Sequence, residues 1–269
     1  MSKAPDSSTP NKEPITYAQL RSMMVCQETG KLCVFGYGSL IWKPNFPYSR
    51  SWVGYIEGYK RRFYQGTTTH RGTPMNPGRV ATLVSSSLSN SRVWGVAFEV
   101  SDPSHIDVAL EHLAEREMIL GGYRFDQVQF YGYKQRSNSF DPERDDPKNL
   151  VHNIDPEKRI DRINFMVQVY IAQSNNDQYI GNGPIELQAY QIANARGVCG
   201  PNYEYLFKVC NFMKTEVPAD EAANEDAYLL LLEHLVREFL ENKRSKPVSI
   251  ESAIEKIDLR SDDLGIKTK

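Results

Sequence analysis

Long apolar runs are missing from this sequence of 269 residues. No stretch approaches the roughly 18 consecutive apolar residues that predict a membrane-spanning helix. Residues 1–14 are polar and lack the apolar core of a secretory signal. An excess of one charge is missing too, because 32 Lys and Arg residues face 34 Asp and Glu residues. Nucleic-acid-binding proteins normally have a strong basic excess. These absences predict a cytoplasmic protein that binds neither membranes nor nucleic acid.

Cysteine and histidine are sparse and scattered. The four cysteines form no C-x-x-C pair, and the five histidines form no H-E-x-x-H motif. This distribution argues against a zinc site, and four cysteines are too few for a disulfide framework in a chain of this length. We therefore expect reduced, partly buried thiols and no metal site. The cysteines are Cys26, Cys33, Cys199 and Cys210.

The composition is that of an ordinary globular protein, with 40% hydrophobic and 25% charged residues. The polar, proline-containing start predicts a flexible amino-terminal extension over residues 1–30. One domain, long enough to bury its own core, is predicted over residues 31–242. A stretch rich in Asp, Asn, Pro and Arg predicts a surface insertion at residues 135–162. Residues 243–269 form a charged carboxyl-terminal extension in which three isoleucines could line one short helix. The sequence makes no prediction of the oligomeric state.

The first half of the domain is rich in strand-forming residues and the second half in helical patterns. Strands are predicted at Leu32–Tyr37, Trp52–Tyr64, Arg79–Val84, Arg92–Val100, Gln127–Tyr133 and Asn164–Ala172. Helices are predicted at Pro103–Met118, Ile185–Ala195, Asn202–Thr215 and Glu225–Asn242. Strands first and helices mostly later favour an α+β fold with a largely antiparallel sheet or barrel. The missing strand–helix alternation disfavours a Rossmann arrangement.

A glycine-rich turn follows the first predicted strand in the segment VFGYGSLIW. Glycines at 36 and 38 let the backbone approach a ligand closely, and successive N–H groups in such a turn can bind a carboxylate or a developing oxyanion. The segment is not a dinucleotide fingerprint, because Ile41 stands where the third glycine would be. It also lacks the Gly-Lys ending of a phosphate-binding loop and the spacing of a nucleophile elbow. A plain turn at the end of a strand remains the alternative.

One carboxylate falls on the apolar side of its helix. With Asp102 as the cap and about 100° per residue, Ile106 and Leu110 lie on a stripe that Glu117 continues. Burial there would raise the pKa of Glu117 and make it a proton acceptor near neutral pH. The alternative is that Glu117, in the last turn, points to solvent, because glutamates are seldom buried unless they are paired.

Both segments belong to a larger resemblance. The stretches VFGYGSLIWKPNFPY, GYKRRFYQGTTTHRGTP, PGRVATLV, VWGVAFEV and EREMILGGY, with NYEYLF later, resemble the ChaC-type γ-glutamylcyclotransferases in the family's order, over about residues 31–240. The resemblance implies the γ-glutamylcyclotransferase-like fold, a small mixed β-barrel with flanking helices. It also implies cleavage of glutathione to 5-oxoproline and Cys-Gly without a cofactor.

The resemblance also implies site residues. Its catalytic glutamate corresponds to Glu117, and the tyrosine of its E-Y-L element corresponds to Tyr205, which is expected to hold substrate. The residues that match its substrate loop are Gly36, Tyr37, Gly38, Ser39, Leu40 and Ile41. The insertion at 135–162 departs from the family pattern and leaves the breadth of substrates open.

The expected chemistry needs one base. In a γ-glutamyl compound the α-amine can attack its own γ-carbonyl and close a five-membered lactam. Glu117 would accept the ammonium proton, and N–H groups of the loop would bind the α-carboxylate or polarise the γ-carbonyl. Four arginines are candidates for attracting the carboxylates of glutathione, with a solvated basic face as the alternative. They are Arg61, Arg62, Arg71 and Arg79.

Other functions remain open at this point. The enzyme could act on other γ-glutamyl peptides or amines, since the loop would recognise only the shared glutamyl end. A non-catalytic protein that binds a partner on the same scaffold is a second alternative. A serine hydrolase that uses Ser39 is a third, although no His and Asp partners can be named around it.

Overall fold

The computed structural model describes residues 16–88, 91–115, 123–136, 163–221 and 227–245. The helices within these ranges are Tyr17–Met24 (α1), Pro103–Leu113 (α2), Ile185–Asn194 (α3), Asn202–Glu216 (α4) and Ala227–Ser245 (α5). The strands are Leu32–Gly36 (β1), Arg50–Glu57 (β2), Tyr59–Thr67 (β3), Gly78–Ser85 (β4), Arg92–Val100 (β5), Tyr123–Gln135 (β6), Asn164–Ala172 (β7), Arg196–Gly197 (β8) and Gly200–Pro201 (β9). None of the helices in these ranges is both long and apolar enough to span a bilayer.

Five strands close into a small barrel in the order β1-β5-β2-β6-β7. Neighbouring strands are antiparallel except β1 and β7, which are parallel and close the barrel. Phe35 and Val169 lie on the inner face of the wall, and the ring of Phe35 contacts that of Phe130 across the barrel, with centroids 5.8 Å apart; all three side chains are fully buried. Closure leaves no barrel edge exposed to another chain. The predicted α+β class and the mixed barrel are confirmed.

One predicted strand is two strands in different sheets. The expected strand over Trp52–Tyr64 breaks at Gly58, whose φ of 81° lies in the left-handed region that favours glycine. β2 pairs in the barrel, whereas β3 turns away and pairs with β4 in a two-stranded sheet. The turn matters for the site because it brings β4 next to the end of β7, where the N–H of Ala172 donates to the hydroxyl of Thr82 at 3.1 Å.

The amino-terminal part of the described chain is more ordered than the predicted extension over residues 1–30. Residues 17–24 form α1, which begins with a capping box between Thr16 and Gln19. Leu20 and Met24 are buried in the main core. Leu20 and Met24 are four positions apart and therefore lie on the same face of α1, which is the face that packs on the core.

The helix that precedes Glu117 forms largely as predicted. The carboxylate of Asp102 accepts hydrogen bonds from the hydroxyl of Ser104 at 2.6 Å and from its N–H at 2.8 Å, and these bonds lower the pKa of Asp102. The stripe residues Ile106 and Leu110 are fully buried. The described helix ends at Leu113, and the predicted continuation to Met118 passes beyond the described residues. Residues 137–162 of the predicted insertion and the isoleucines of the carboxyl-terminal extension also lie outside them.

Candidate active site

The glycine-rich turn lies at the end of β1, where the chain leaves the barrel. Gly36 is the last residue of the strand, and Ser39–Ile41 form one turn of 3₁₀-helix. The N–H of Ile41 donates to the carbonyl of Gly38 at 3.0 Å, and that of Lys43 donates to the carbonyl of Ser39 at 2.9 Å. The amide of Ile41 therefore shapes the loop, and predicted contacts to substrate would come from the amides before it.

The side chain of Tyr37 ties this loop to the barrel. Its hydroxyl donates to the backbone carbonyl of Tyr170 in β7 at 2.5 Å, and the ring is buried. Leu40 and Ile41 are buried as well. The side chains of these three residues thus hold the loop in place, and the loop's backbone is the part with the right groups to bind a ligand.

Tyr205 lies directly against the loop. A Cβ placed on Gly38 would overlap the Tyr205 hydroxyl, so this close approach requires glycine. The hydroxyl oxygen accepts a hydrogen bond from the N–H of Ala81 in β4 at 3.3 Å. The ring packs edge-on against Trp42, with centroids 5.3 Å apart, and against Phe63, with centroids 5.9 Å apart. The structure therefore brings together two elements, the loop and Tyr205, that are far apart in sequence.

The start of α4 seals the edge of β4 next to the loop. The side-chain amide of Asn202 accepts from the N–H of Arg79 at 2.7 Å and donates to the carbonyl of the same residue at 2.8 Å. Asn202 is fully buried. The Asn202 amide and the Tyr205 hydroxyl thus hydrogen-bond to backbone groups of Arg79 and Ala81 at the edge of β4. These bonds fix α4 relative to the loop.

Glu117, the predicted base, lies outside the described residues. The described chain stops at Glu115 and resumes at Tyr123, the first residue of β6. Tyr123 pairs with Ala172 at the end of β7, which runs parallel to β1. The carboxyl ends of β1 and β7 therefore lie at the same end of the barrel. The chain enters β6 at the barrel end where the loop begins.

All four candidate arginines have partners among other residues of the chain. Arg61, Arg71 and Arg79 are buried, so the alternative of a solvated basic face does not hold for them. Arg61 donates to the carbonyl of Trp94, and Arg71 donates to the carboxylate of Glu204 at 3.1 Å. Their positions are explained by packing and hydrogen bonding within the fold.

Arg79 and Arg62 also have partners within the fold. Arg79 donates to the side chain of Gln191 at 2.6 Å and to the carbonyl of Phe63 at 2.9 Å, and burial lowers its pKa. The guanidinium of Arg62 lies 4.5 Å from the ring centroid of Tyr228.

Several residues that line this region were not predicted from the sequence. Trp42, Phe63 and Ala81 surround Tyr205, and Lys208 places its ammonium 5.6 Å from the Trp42 ring centroid. Burial and the nearby charge of Arg71 lower the pKa of Lys208. The position of Trp42 directly after the loop was the one local signal for any of them. Within the described ranges, no three His, Cys, Asp or Glu side chains are grouped so that they could hold a metal ion.

The chain resembles known proteins over most of its length. The family model described as ChaC-like protein matches residues 32–239. The human protein named glutathione-specific γ-glutamylcyclotransferase 1 is 37% identical over 212 residues, which cover 78% of this chain and 83% of that protein. The zebrafish (Danio rerio) protein of the same name is 40% identical over 187 residues, covering 70% of this chain and 81% of the relative.

A solved structure has a similar fold. The crystal structure of a γ-glutamylcyclotransferase specific to glutathione from yeast superimposes with a TM-score of 0.62 at 28% sequence identity. The match covers 78% of this chain and 96% of the yeast chain.

Proposed function

This chain belongs to the ChaC-like protein family, and we propose that it is a glutathione-specific γ-glutamylcyclotransferase in which Glu117 is the general base. The enzyme class is the one predicted from the sequence, and the relatives named for it confirm that prediction. The observation that carries the proposal is the contact between Tyr205 and Gly38. It brings two separate family motifs into contact at one end of the barrel, which supports the proposal that they serve one site.

The reaction is an internal substitution at the γ-carbonyl of glutathione. The α-amine forms a C–N bond to the γ-carbon, and the bond from that carbon to the cysteine nitrogen breaks. The products are 5-oxoproline and Cys-Gly, with no water consumed and no electrons transferred. Because nucleophile and carbonyl belong to one molecule, holding the glutamyl chain folded supplies most of the required proximity.

The reaction needs proton transfers at two nitrogens, and one carboxylate can perform the two that accompany bond making and breaking. The α-ammonium group loses one proton to attack and a second, to water, once the C–N bond has formed, while the cysteine nitrogen gains one proton to leave and a second from water afterwards. Glu117 follows α2, whose apolar stripe faces the core through Ile106, Leu110 and Leu113. In the proposed mechanism Glu117 accepts the proton from the amine and returns it to the leaving nitrogen.

The loop and Tyr205 are proposed to bind the glutamyl part of the substrate. The backbone N–H groups from Gly36 to Leu40 offer donors to the α-carboxylate or to the oxyanion that develops on the γ-carbonyl. In this proposal Tyr205 keeps the loop in shape through its contact with Gly38, and its ring packs edge-on against Trp42. A rigid loop suits this chemistry because preorganised donors need no rearrangement as charge develops.

Product analysis tests the activity directly. The purified protein is incubated with glutathione, with γ-glutamyl-alanine and with a γ-glutamyl-amine, and 5-oxoproline is measured. We expect release from glutathione alone, whereas release from all three would indicate a broader γ-glutamyl specificity. No release from any of them would favour a non-catalytic protein.

The Glu117→Gln variant tests the base. The amide has nearly the same shape but cannot accept the proton, so we expect 5-oxoproline release to fall at least 10³-fold with an unchanged circular dichroism spectrum. Glu115→Gln, two positions away and exposed, is the matched control and should keep wild-type activity. Retention of most activity in Glu117→Gln would rule Glu117 out as the base.

A cytoplasmic location is part of the proposal. The four cysteines carry thiols rather than disulfides in the described structure, and a reducing compartment maintains that state. Glutathione, the proposed substrate, needs the same conditions to remain a thiol. Cell fractionation with the tagged full-length chain tests this location.

A further inference from the structure

Arg136 connects the proposed substrate loop to the helix that carries Tyr205. It directly follows β6, and its backbone N–H donates to the carbonyl of Ser51 in β2 at 2.9 Å. From this fixed position the Nη1 atom donates to the carbonyl oxygen of Ile41 at 3.3 Å. The Nη2 atom donates to Oε1 of Glu216 at 3.2 Å. One side chain therefore contacts the last residue of the loop and the last residue of α4.

Glu216 is a buried carboxylate that contacts two cations. Its side chain is 8% exposed, and its other oxygen lies 3.5 Å from Nζ of Lys134 in β6. Lys134 and Arg136 are buried to a similar degree, with side chains 18% and 15% exposed. The side-chain contacts of Lys134 and Arg136 differ in one respect, since Arg136 also donates to the carbonyl of Ile41 in the loop. The pair therefore allows the loop contact to be tested apart from the ion pair.

The ion pair lies at the opposite end of α4 from Tyr205. α4 begins at Asn202, places Tyr205 in its first turn and ends at Glu216, about 20 Å further along its axis. Tyr205 holds the loop at Gly38, and Arg136 holds it at Ile41. The loop is thus attached to both ends of α4. It contacts Tyr205 in the first turn directly, and it is linked to Glu216 at the last residue through the guanidinium of Arg136.

We propose that Arg136 is a positioning residue for the substrate loop. A guanidinium presents its donors in a rigid planar fork, so it can bind two acceptors at once and fix their relative position. Holding the carbonyl of Ile41 sets the orientation of the 3₁₀ turn and of the amides that precede it. An error of about 1 Å in such donors can cost about 10²-fold in rate. The inference rests on the proposed function, because that loop is where substrate is proposed to bind.

The kinetic test compares Arg136→Gln with Lys134→Gln. Each variant removes one cation from Glu216, but only the first also removes the donor to Ile41. We expect kcat/KM for glutathione to fall at least tenfold in Arg136→Gln and to stay within twofold of wild type in Lys134→Gln. Arg136→Lys keeps the charge and one donor, so its kcat/KM should lie between those of wild type and Arg136→Gln. Equal kcat/KM values in Arg136→Gln and Lys134→Gln would overturn the inference.

A second measurement does not depend on catalysis. Hydrogen exchange of the amides of Ile41, Trp42 and Lys43, which bond within the loop, reports on its rigidity. We expect exchange at least tenfold faster in Arg136→Gln and unchanged in Lys134→Gln. If the wild type releases no 5-oxoproline but exchange changes in this way, the proposed function fails and the positioning role stands. Unchanged exchange in Arg136→Gln overturns the positioning role whatever the activity.

Discussion

The hydroxyl of Tyr205 lies so close to the α-carbon of Gly38 that any side chain at position 38 would overlap it. The two residues are separated by most of the domain in sequence, yet they meet at the end of β1. The same hydroxyl accepts the N–H of Ala81, so its position is fixed by β4 as well as by α4. The loop that is proposed to bind substrate therefore has its shape determined by a distant helix.

Gly38→Ala should damage both stability and activity. The new methyl group has to displace the loop or the Tyr205 ring, and overpacking of this kind costs about 1–3 kcal/mol of unfolding free energy. We expect 5-oxoproline release to fall at least tenfold, because the loop amides move. Urea denaturation and the product assay measure the two effects.

The double variant Gly38→Ala/Tyr205→Phe separates the contact from other causes. Removing the hydroxyl makes room for the methyl group, so the stability loss of the double variant should be smaller than the sum of the two single losses by at least about 0.5 kcal/mol. Strictly additive losses would mean that the overlap is relieved elsewhere.

The cysteines should differ in reactivity toward iodoacetamide at neutral pH. Hydrogen bonds from the side chain and backbone of Thr29 lower the pKa of the exposed Cys26 thiol, whereas burial, with a smaller contribution from Glu99, raises the pKa of Cys33 to about 12. The thiolate is the reacting form, so alkylation should accelerate as pH rises toward the thiol pKa. We expect Cys26 to be labelled at least tenfold faster than Cys33 at pH 7, as measured by peptide mass spectrometry.

Thr29→Val is the matched variant for the thiol prediction. It removes the hydroxyl that lowers the pKa of Cys26 and keeps a side chain of similar shape. Labelling of Cys26 at pH 7 should slow down in this variant, while Cys33 stays protected. Equal rates for Cys26 in both proteins would show that exposure alone sets its reactivity.

Glu233 should make stability depend on pH. Burial raises its pKa, but hydrogen bonds from Lys214 in α4 and Arg237 in α5 outweigh it, so the pKa is lowered in the folded protein. A lowered pKa stabilises the fold above the unfolded value of about 4.3, and this contribution is lost as pH falls through the folded value. Glu233→Gln should therefore be less stable than wild type by about 1 kcal/mol at pH 7, because both cations are half exposed.

Urea midpoints at pH 7, 5 and 3 check the sign of this effect. The difference between wild type and Glu233→Gln should be similar at pH 7 and 5 and should shrink toward pH 3. Glu238→Gln, on the exposed side of the same helix, serves as the control and should change stability by less than about 0.5 kcal/mol at every pH. A difference for Glu233→Gln that grows toward pH 3 would contradict the direction of the shift.

Short-range patterns in the sequence predicted much of the fold correctly. The cap at Asp102 and the stripe that includes Ile106 and Leu110 form as expected, because both follow from spacing along one helix. The family and the fold class are confirmed by the comparisons and by the closed barrel. The proposed role of Glu117 stays a prediction, since the residue lies outside the described chain.

Predictions failed where distant segments decide the outcome. The strand expected over Trp52–Tyr64 breaks at Gly58 because its two halves pair with different partners, β5 and β4. Residues 17–24 form a helix because a core that includes Val34 covers Leu20 and Met24. Neither pairing partners nor a receiving core can be seen in a short window of sequence.

The sequence by itself determined the family, the glycine-rich loop and the residue types available for the chemistry, because these depend on local motifs and spacing. Only the tertiary structure decided which groups meet. It placed Tyr205 against Gly38 and Arg136 against Ile41. It also directed the guanidinium of Arg79 to the carbonyl of Phe63. The physical reason is that closing the barrel and docking α4 bring together backbone donors and acceptors far apart in the chain, and each buried polar group must find a partner where it lies.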